Sequence, residues 1–167
     1  MARVSFVPLD EMPKEVRSAV ARGQQSRMLS SPRPVQVWAH RPSAALAWLG
    51  LLESLHQDSL LDERLRELVR LKIASITTCQ ACQLARKSDQ VTEDDVACLS
   101  SDNDRFKPSE RAALTFAELF ASDYMAISDE HYVRLAEFFS EAQVVELNMY
   151  CALMLAGGRM TYVQQAY

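Results

Sequence analysis

The segment DERLRELVRLKIASITTCQAC, residues Asp62–Cys82, decides the fold class of this chain. Its apolar residues recur every three or four positions, which is the spacing of one buried face of an α-helix. That face comprises Leu65, Leu68, Val69 and Ile76. The pattern predicts an amphipathic helix that begins near Asp62.

A second helix is predicted to begin at the Cys-x-x-Cys unit, Cys79–Cys82, with Thr77 or Thr78 as its cap. The flanks of this unit are helical on both sides, which argues against the βαβ setting of a thioredoxin-like site. Helical periodicity also continues through the chain from Pro42 onward. Further helices are predicted to begin at Pro42, Thr92, Pro108, Ser128 and Ser140, the last of them ending at Gly157-Gly158.

The N-terminal region carries a weaker pattern, and its first ~40 residues are predicted to form an irregular arm. Within this arm, Glu15–Ala21 is expected to form a short helix that Arg22-Gly23 ends. Val35–Trp38 is either a short strand or a helical turn. The whole chain, residues 1–167, is predicted to be a single all-α domain of about seven helices.

The composition agrees with a helical protein of one domain. The chain has 167 residues, of which 49% are hydrophobic, with only 4 Gly and 6 Pro. This length suits one domain with a sizeable core. Sandwiches and barrels of many short strands need more turn-forming residues than this chain has.

The charge pattern argues against several classes of partner. Lys and Arg number 18 and Asp and Glu 22, for a net charge of −4, and residues of the two signs are interleaved along the chain. No basic block predicts binding to nucleic acid or to an anionic membrane. The longest uncharged run, Ile73–Ala85, is shorter than the ~20 residues of a membrane-spanning helix. With no apolar leader at the N-terminus, we expect a cytoplasmic protein.

The four cysteines are Cys79, Cys82, Cys98 and Cys151, and only the first two form a motif. Three residues apart on a helix, the Cys79 and Cys82 thiols share a face and lie within reach of a disulfide. A threonine cap would place Cys79 in the first helical turn, where free N–H groups and the helix dipole favour a thiolate.

Three interpretations of the Cys-x-x-Cys unit remain open from the residues alone. The first is a redox dithiol on a helical scaffold. The second is a zinc site, which requires four ligands. The third is a pair of small side chains that fill a contact between helices. Candidates for completing a zinc site are Cys98, Cys151, His40, His56 and His131, none of them paired at ligand spacing.

The segment resembles the core of the carboxymuconolactone decarboxylase superfamily, specifically its alkylhydroperoxidase D-like branch. The most specific part is Arg66-Glu67-Leu68 followed by Cys79 and Cys82, at the Glu-to-Cys separation of that branch. The likeness extends from about Arg3 to Tyr162. Further similar segments are Ala39–Pro42, Glu110–Leu114 and Phe139–Leu147.

This resemblance implies an all-helical alkylhydroperoxidase D-like domain that assembles as a dimer, trimer or hexamer and uses no metal, haem or other cofactor. It implies a peroxiredoxin-type oxidoreductase in which Cys82 attacks the peroxide and Cys79 resolves the product into a disulfide. Glu67 assists deprotonation through a downstream histidine. The implied partners are a peroxide or other small-molecule substrate, and a dithiol reductant protein or a small thiol.

The sequence departs from the pattern of that branch at two positions. Arg86 stands where the histidine four residues after Cys82 is expected, and Ala81 stands where the best-known members have a second histidine. Arginine does not deprotonate in proteins and cannot relay a proton. Arg86 can instead stabilise a Cys82 thiolate or pair with Glu67. General acid–base assistance typically contributes about 10²–10⁴-fold, so we expect weak peroxidase activity or plain dithiol–disulfide exchange.

Two other functions are compatible with the same residues. One is a non-redox enzyme of the decarboxylase branch, acting on a small carboxylated lactone with Glu67, His40 and arginines; His40 is a possible pocket residue. The other is a non-catalytic oligomeric scaffold. The nearly uniform apolar character of Val144–Ala156 predicts a homo-oligomer in either case.

Overall fold

A computed structural model describes residues 2–99 and 104–167. Within these residues the chain forms nine α-helices and one short 3-10 helix, and no strand. The all-α prediction is confirmed, and the count exceeds the predicted seven. The helices are α1 (Lys14–Gln25), α2 (Arg33–Trp38), α3 (Pro42–Gln57), α4 (Glu63–Ile76), α5 (Gln80–Leu84), α6 (Glu93–Ala97), α7 (Pro108–Ser122), α8 (Asp129–Ala136) and α9 (Glu141–Gln164). In the N-terminal region, α1 contains the predicted Glu15–Ala21 helix, and the Val35–Trp38 segment is helical rather than a strand.

The chain forms two compact units, and the first contains the N-terminal residues up to Ser59 together with Arg159–Tyr167. The prediction of an irregular arm is wrong here, because α1 and α2 both pack against α3. Burial of apolar side chains stabilises these short helices where local propensity is weak. The shared core contains Met12, Val16, Ala19, Val20, Met28, Val35, Ala39 and Leu49.

Helix α1 passes through Gly23, where the sequence predicted its end. Gly23 is buried, and a β-carbon there would lie 2.8 Å from side-chain atoms of both Met28 and Leu29. The glycine thus permits close approach of the following turn. The helix ends two residues later, and Arg27 takes the left-handed conformation beyond it, with φ of 61°.

Gly50 offers a direct test of helix propensity in α3. It is exposed in the helix interior, and a β-carbon there would meet no atom within 4 Å. Gly50→Ala is therefore expected to raise the unfolding free energy by about 0.5–1 kcal/mol, measured by urea denaturation. Gly23→Ala, which introduces the contacts described above, is the matched comparison and should not stabilise the protein.

The second unit, Leu60–Gly158, is organised around α4, which packs against α5 and α7. Asp62 caps α4 by accepting a hydrogen bond from the Leu65 N–H at 2.8 Å, so the predicted helix start is confirmed. The predicted starts at Thr92 and Pro108 are also observed, the former as a capping box with Asp95. The core beside α4 contains Leu68, Leu71, Val91, Phe106 and Leu114.

A network centred on Arg64 joins α4 to α6 and α7. The Arg64 guanidinium donates to Glu110 at 2.8 Å, to Asp95 at 2.9 Å and to the Gln90 carbonyl at 2.6 Å. Asp95 also accepts from Arg105 at 2.6 Å. These donors, Arg64 first, hold the pKa of Asp95 well below its usual range. The network fixes the N-terminal half of α4.

Helix α9 differs from its prediction in two respects. It continues through Gly157-Gly158 to Gln164. Gly158 permits close approach to Thr77, since a β-carbon there would lie 3.2 Å from Thr77 Oγ1. It is also not buried on all sides, since Val145 and Met149 are exposed. Among the described residues, none of the helices combines the length and the apolar character that crossing a bilayer requires.

Candidate active site

A disulfide joins Cys79 to Cys82 at the start of α5, with the two Cα atoms 5.2 Å apart. The Cys79 side chain is completely buried, whereas Cys82 is half-buried. The two residues of the pair therefore differ in their exposure to solvent.

The predicted threonine cap is not formed. Thr77 Oγ1 donates back to the Ile73 carbonyl of α4 at 2.9 Å, and Cys79 itself occupies the N-cap position of α5. Between them Thr78 takes a left-handed conformation with φ of 52°, which is strained for a β-branched residue. Cys79 is consequently not in the first turn, and the expected dipole effect on its thiol is not supported.

Glu67 lies on the face of α4 toward α5 and is 2% exposed. Its two carboxylate oxygens accept from Arg70 Nε and Nη2, each at 2.7 Å, and Oε1 also accepts from the Lys87 main-chain N–H at 2.9 Å. The carboxylate is thus held by a bidentate ion pair and by the chain beyond α5.

Arg70 connects this ion pair to the Cys-x-x-Cys segment. Its Nη1 donates to the Cys82 carbonyl at 2.6 Å, and Nη2 donates to the Ala85 carbonyl at 2.7 Å. A second connection comes from Gln83, whose Nε2 donates to the Ala74 carbonyl at 3.1 Å. The structure thus brings Glu67, Cys79 and Cys82 together as the resemblance implies, and adds Arg70 as the residue that joins them.

Arg86 is placed differently from its prediction. Its Nε and Nη2 bind the two carboxylate oxygens of Glu93 at 2.8 and 2.9 Å, and its Nη1 donates to the Gln83 carbonyl. The hydrogen bonds to Glu93 are the main cause of the raised pKa of Arg86, and the charge of Glu67 makes the smallest contribution to it. The predicted pairing of Arg86 with Glu67 is wrong. Helix α5 ends at Leu84 and Ala85 is extended, so that Arg86 does not continue the helix.

Lys87 is a residue of the site that the sequence analysis missed. It is half-buried, and its main chain contacts Glu67. Burial, and secondarily the Arg70 guanidinium, lower the pKa of the Lys87 ammonium to about 8, while Glu67 opposes the shift. Its position directly after Arg86 was the only signal in the sequence.

The stability of the oxidised protein is expected to rise between about pH 8 and 10.5 because of Lys87. In this window the native state binds fewer protons at Lys87 than the unfolded chain, so the unfolding free energy increases with pH. Lys87→Met should remove an increment on the order of 1–3 kcal/mol. Urea unfolding of both proteins below and above this window measures it, and equal pH dependence in the two would contradict the assignment.

The remaining candidates have surroundings of their own. His40 is exposed in the first unit, and its Nε2 lies 2.9 Å from the Ser5 carbonyl. His131 Nδ1 accepts from the Ser128 N–H. Cys151 is buried, which raises the pKa of its thiol, and Cys98 is a half-buried free thiol. Within residues 2–99 and 104–167, no three His, Cys, Asp or Glu side chains are grouped as metal ligands.

The sequence of this chain is similar to that of a known protein. The sequence matches no protein-family model. The uncharacterised protein YdfG of Bacillus subtilis is 29% identical over 103 residues, which make up 58% of this chain and 70% of that protein.

Solved structures align over nearly the whole chain. The debrominase Bmp8 has a TM-score of 0.84 at 20% identity and covers 99% of this chain and 91% of its own. A cysteine-to-alanine variant of Bmp8 in complex with 2,3,4-tribromopyrrole has the same TM-score at 18% identity, with 100% and 91% coverage. A peroxidase-related alkylhydroperoxidase AhpD core protein of Ralstonia eutropha has a TM-score of 0.74 at 20% identity, covering 99% and 91%. The chain therefore has the alkylhydroperoxidase D-like fold that its Glu67–Cys82 segment predicts.

Proposed function

We propose that this protein is a thiol–disulfide oxidoreductase whose reactive group is the Cys79–Cys82 dithiol. The observation that carries the proposal is the asymmetric pair itself, a half-buried Cys82 bonded to a fully buried Cys79. This arrangement suits one thiol that meets the substrate and a second that resolves the product without leaving the core.

With a peroxide as substrate, the reaction proceeds in three steps. The Cys82 thiolate attacks the outer oxygen of ROOH, and with one proton the products are ROH and a sulfenic acid on Cys82. The Cys79 thiol then displaces water from that sulfenic acid and forms the disulfide. An external dithiol finally reduces the disulfide by two electrons and is itself oxidised to a disulfide.

We expect little general acid–base assistance in these steps. Glu67 is ion-paired with Arg70 and is therefore not poised as a free base beside Cys82. Arg86, which cannot act as a base, is ion-paired with Glu93. Glu67 is therefore assigned to organising the site rather than to relaying protons. Arg86 retains a role only as a cation near the end of α5. Slow peroxide reduction or dithiol–disulfide exchange follows from this arrangement.

A second candidate is reductive debromination of a small aromatic substrate. The likeness to the debrominase Bmp8, including a variant bound to a tribromopyrrole, favours it. The same dithiol can supply the two electrons: an aryl bromide and two thiols give the arene, bromide, a proton and one disulfide. Bromide release that depends on Cys82 would distinguish this substrate class from peroxides.

Thiol counting before and after mild peroxide treatment tests the proposed function. The reduced protein is expected to lose two of its four thiols, and peptide mapping should place the new bond between Cys79 and Cys82. Loss of no thiols, or loss confined to Cys98, would contradict a peroxide-reactive dithiol. Activity that persists in the Cys79→Ser, Cys82→Ser double variant would instead favour a non-redox enzyme of the decarboxylase branch.

A further inference from the structure

The contacts of Arg70 use both sides of its guanidinium group. One edge holds the two oxygens of Glu67, and the other holds the main-chain carbonyls of Cys82 and Ala85. Arginine presents its donors in a rigid planar fork, so these acceptors are fixed relative to one another. Glu67 completes the arrangement by accepting the Lys87 N–H. The buried ion pair is thus bonded to the main chain of the segment 82–87 at three points.

The segment 82–87 requires hydrogen bonds from outside itself to keep its conformation. Helix α5 has only five residues, and a helix of that length is not stable through its own hydrogen bonds. Carbonyls in its last turn lack partners within the helix, and Arg70 supplies donors to two carbonyls at this end. In the oxidised protein the disulfide also holds α5 in place. After reduction that bond is gone, and the main-chain contacts remain.

We propose that Arg70 is a positioning residue for the dithiol, which keeps Cys82 at disulfide distance from Cys79 in the reduced protein. The inference rests on the proposed function and extends it to the residue that sets the redox equilibrium. Two thiols held near each other close a disulfide as an intramolecular reaction with a high effective concentration. Loss of the Arg70 contacts lowers that concentration and makes the disulfide easier to reduce.

A purely electrostatic role for Arg70 predicts the opposite sign. If its charge stabilised a Cys82 thiolate, removing the charge would destabilise the reduced form and make the disulfide harder to reduce. The positive charge is also paired with Glu67 at 2.7 Å, which weakens its effect on a nearby thiolate. Positioning and charge are therefore separable in one equilibrium measurement.

The experiment measures the equilibrium between the protein dithiol and oxidised glutathione, in which two electrons pass from Cys79 and Cys82 to one glutathione disulfide. Arg70→Lys keeps the charge and loses the planar fork, and Arg70→Met loses both. Both variants are expected to lower the equilibrium constant for disulfide formation by about tenfold, which raises the reduction potential by about 30 mV. Arg70→Lys keeps the test valid if Arg70→Met does not fold.

Arg64→Lys is the matched control, because Arg64 is a partly buried arginine of the same helix whose bonds go to Asp95, Glu110 and Gln90. It should leave the glutathione equilibrium unchanged. An unchanged constant in Arg70→Lys, an increase in Arg70→Met, or an equal decrease in Arg64→Lys would each overturn the proposal. If wild-type protein forms the disulfide with glutathione but loses no thiols to peroxide, peroxide reduction fails while the role of Arg70 is still measured.

Amide hydrogen exchange provides a direct readout in the reduced protein. The Lys87 N–H, which donates to Glu67, is expected to stay protected after reduction of the wild type and to exchange rapidly in Arg70→Lys. Loss of protection in the reduced wild type would show that the disulfide, and not the ion pair, holds the segment, and would overturn the inference.

Discussion

Replacing Cys82 by serine is expected to reduce peroxide turnover by about 10³-fold or more, to the uncatalysed background. Cys82 is the more exposed member of the pair. A serine hydroxyl in its place is not ionised at neutral pH. Cys79 cannot substitute for it, because its side chain is fully buried. Consumption of cumene hydroperoxide in the presence of a dithiol reductant measures the effect.

Two further variants make this result specific. Cys98→Ser removes another half-buried thiol and should leave turnover unchanged. Cys79→Ser should still form one sulfenic acid at Cys82, which dimedone traps, but should not form the intramolecular disulfide. Equal rates for wild type and Cys82→Ser would exclude the dithiol mechanism, and a sulfenic acid found on Cys79 in Cys82→Ser would reverse the two roles.

Replacing Arg70 by methionine is expected to lower the unfolding free energy of the oxidised protein by about 3–5 kcal/mol. Glu67 is 2% exposed and would remain as a buried carboxylate without its ion-pair partner. The carbonyls of Cys82 and Ala85 would also lose their donors. Urea denaturation at neutral pH, with the disulfide intact, measures the change.

The Glu67→Met, Arg70→Met double variant separates charge from packing. It removes both charges together and is expected to recover a large part of the loss, because no uncompensated carboxylate remains buried. Arg22→Met, which breaks the solvent-exposed pair with Glu53, should leave stability nearly unchanged. A double variant as unstable as the sum of its single variants would show that the two residues do not interact.

The helices that could be predicted are those whose start signal and apolar face agree. Helix α4 has both, with Asp62 as cap and a regular buried face, and it forms as expected. The prediction is wrong where a glycine permits a close contact. Gly23 and Gly158 suggest helix ends in the sequence, yet each lies within a helix, Gly23 beside the following turn and Gly158 beside Thr77. Such close approach leaves no periodic signal in the sequence.

The candidate site could be predicted only as a set of residue types. The resemblance brings Glu67 and the two cysteines into one unit, and the structure places them together. The ion-pair partner of Glu67 could not be predicted, because the sequence offers four candidate arginines. These are Arg64, Arg66, Arg70 and Arg86. Which arginine binds the Glu67 carboxylate depends on where α5 ends. Because Ala85 is extended, Arg86 does not continue the helix, and Arg70 binds the carboxylate instead.

The three donors on Glu67 also bear on how this protein could have diverged. Introducing a histidine at position 86 adds a titratable ring, but the carboxylate that would orient it is already occupied by Arg70 and Lys87. A histidine relay would therefore require at least two substitutions, and the one at Arg70 is destabilising on its own. The ion pair thus creates an epistatic barrier between this sequence and one with a histidine relay at position 86.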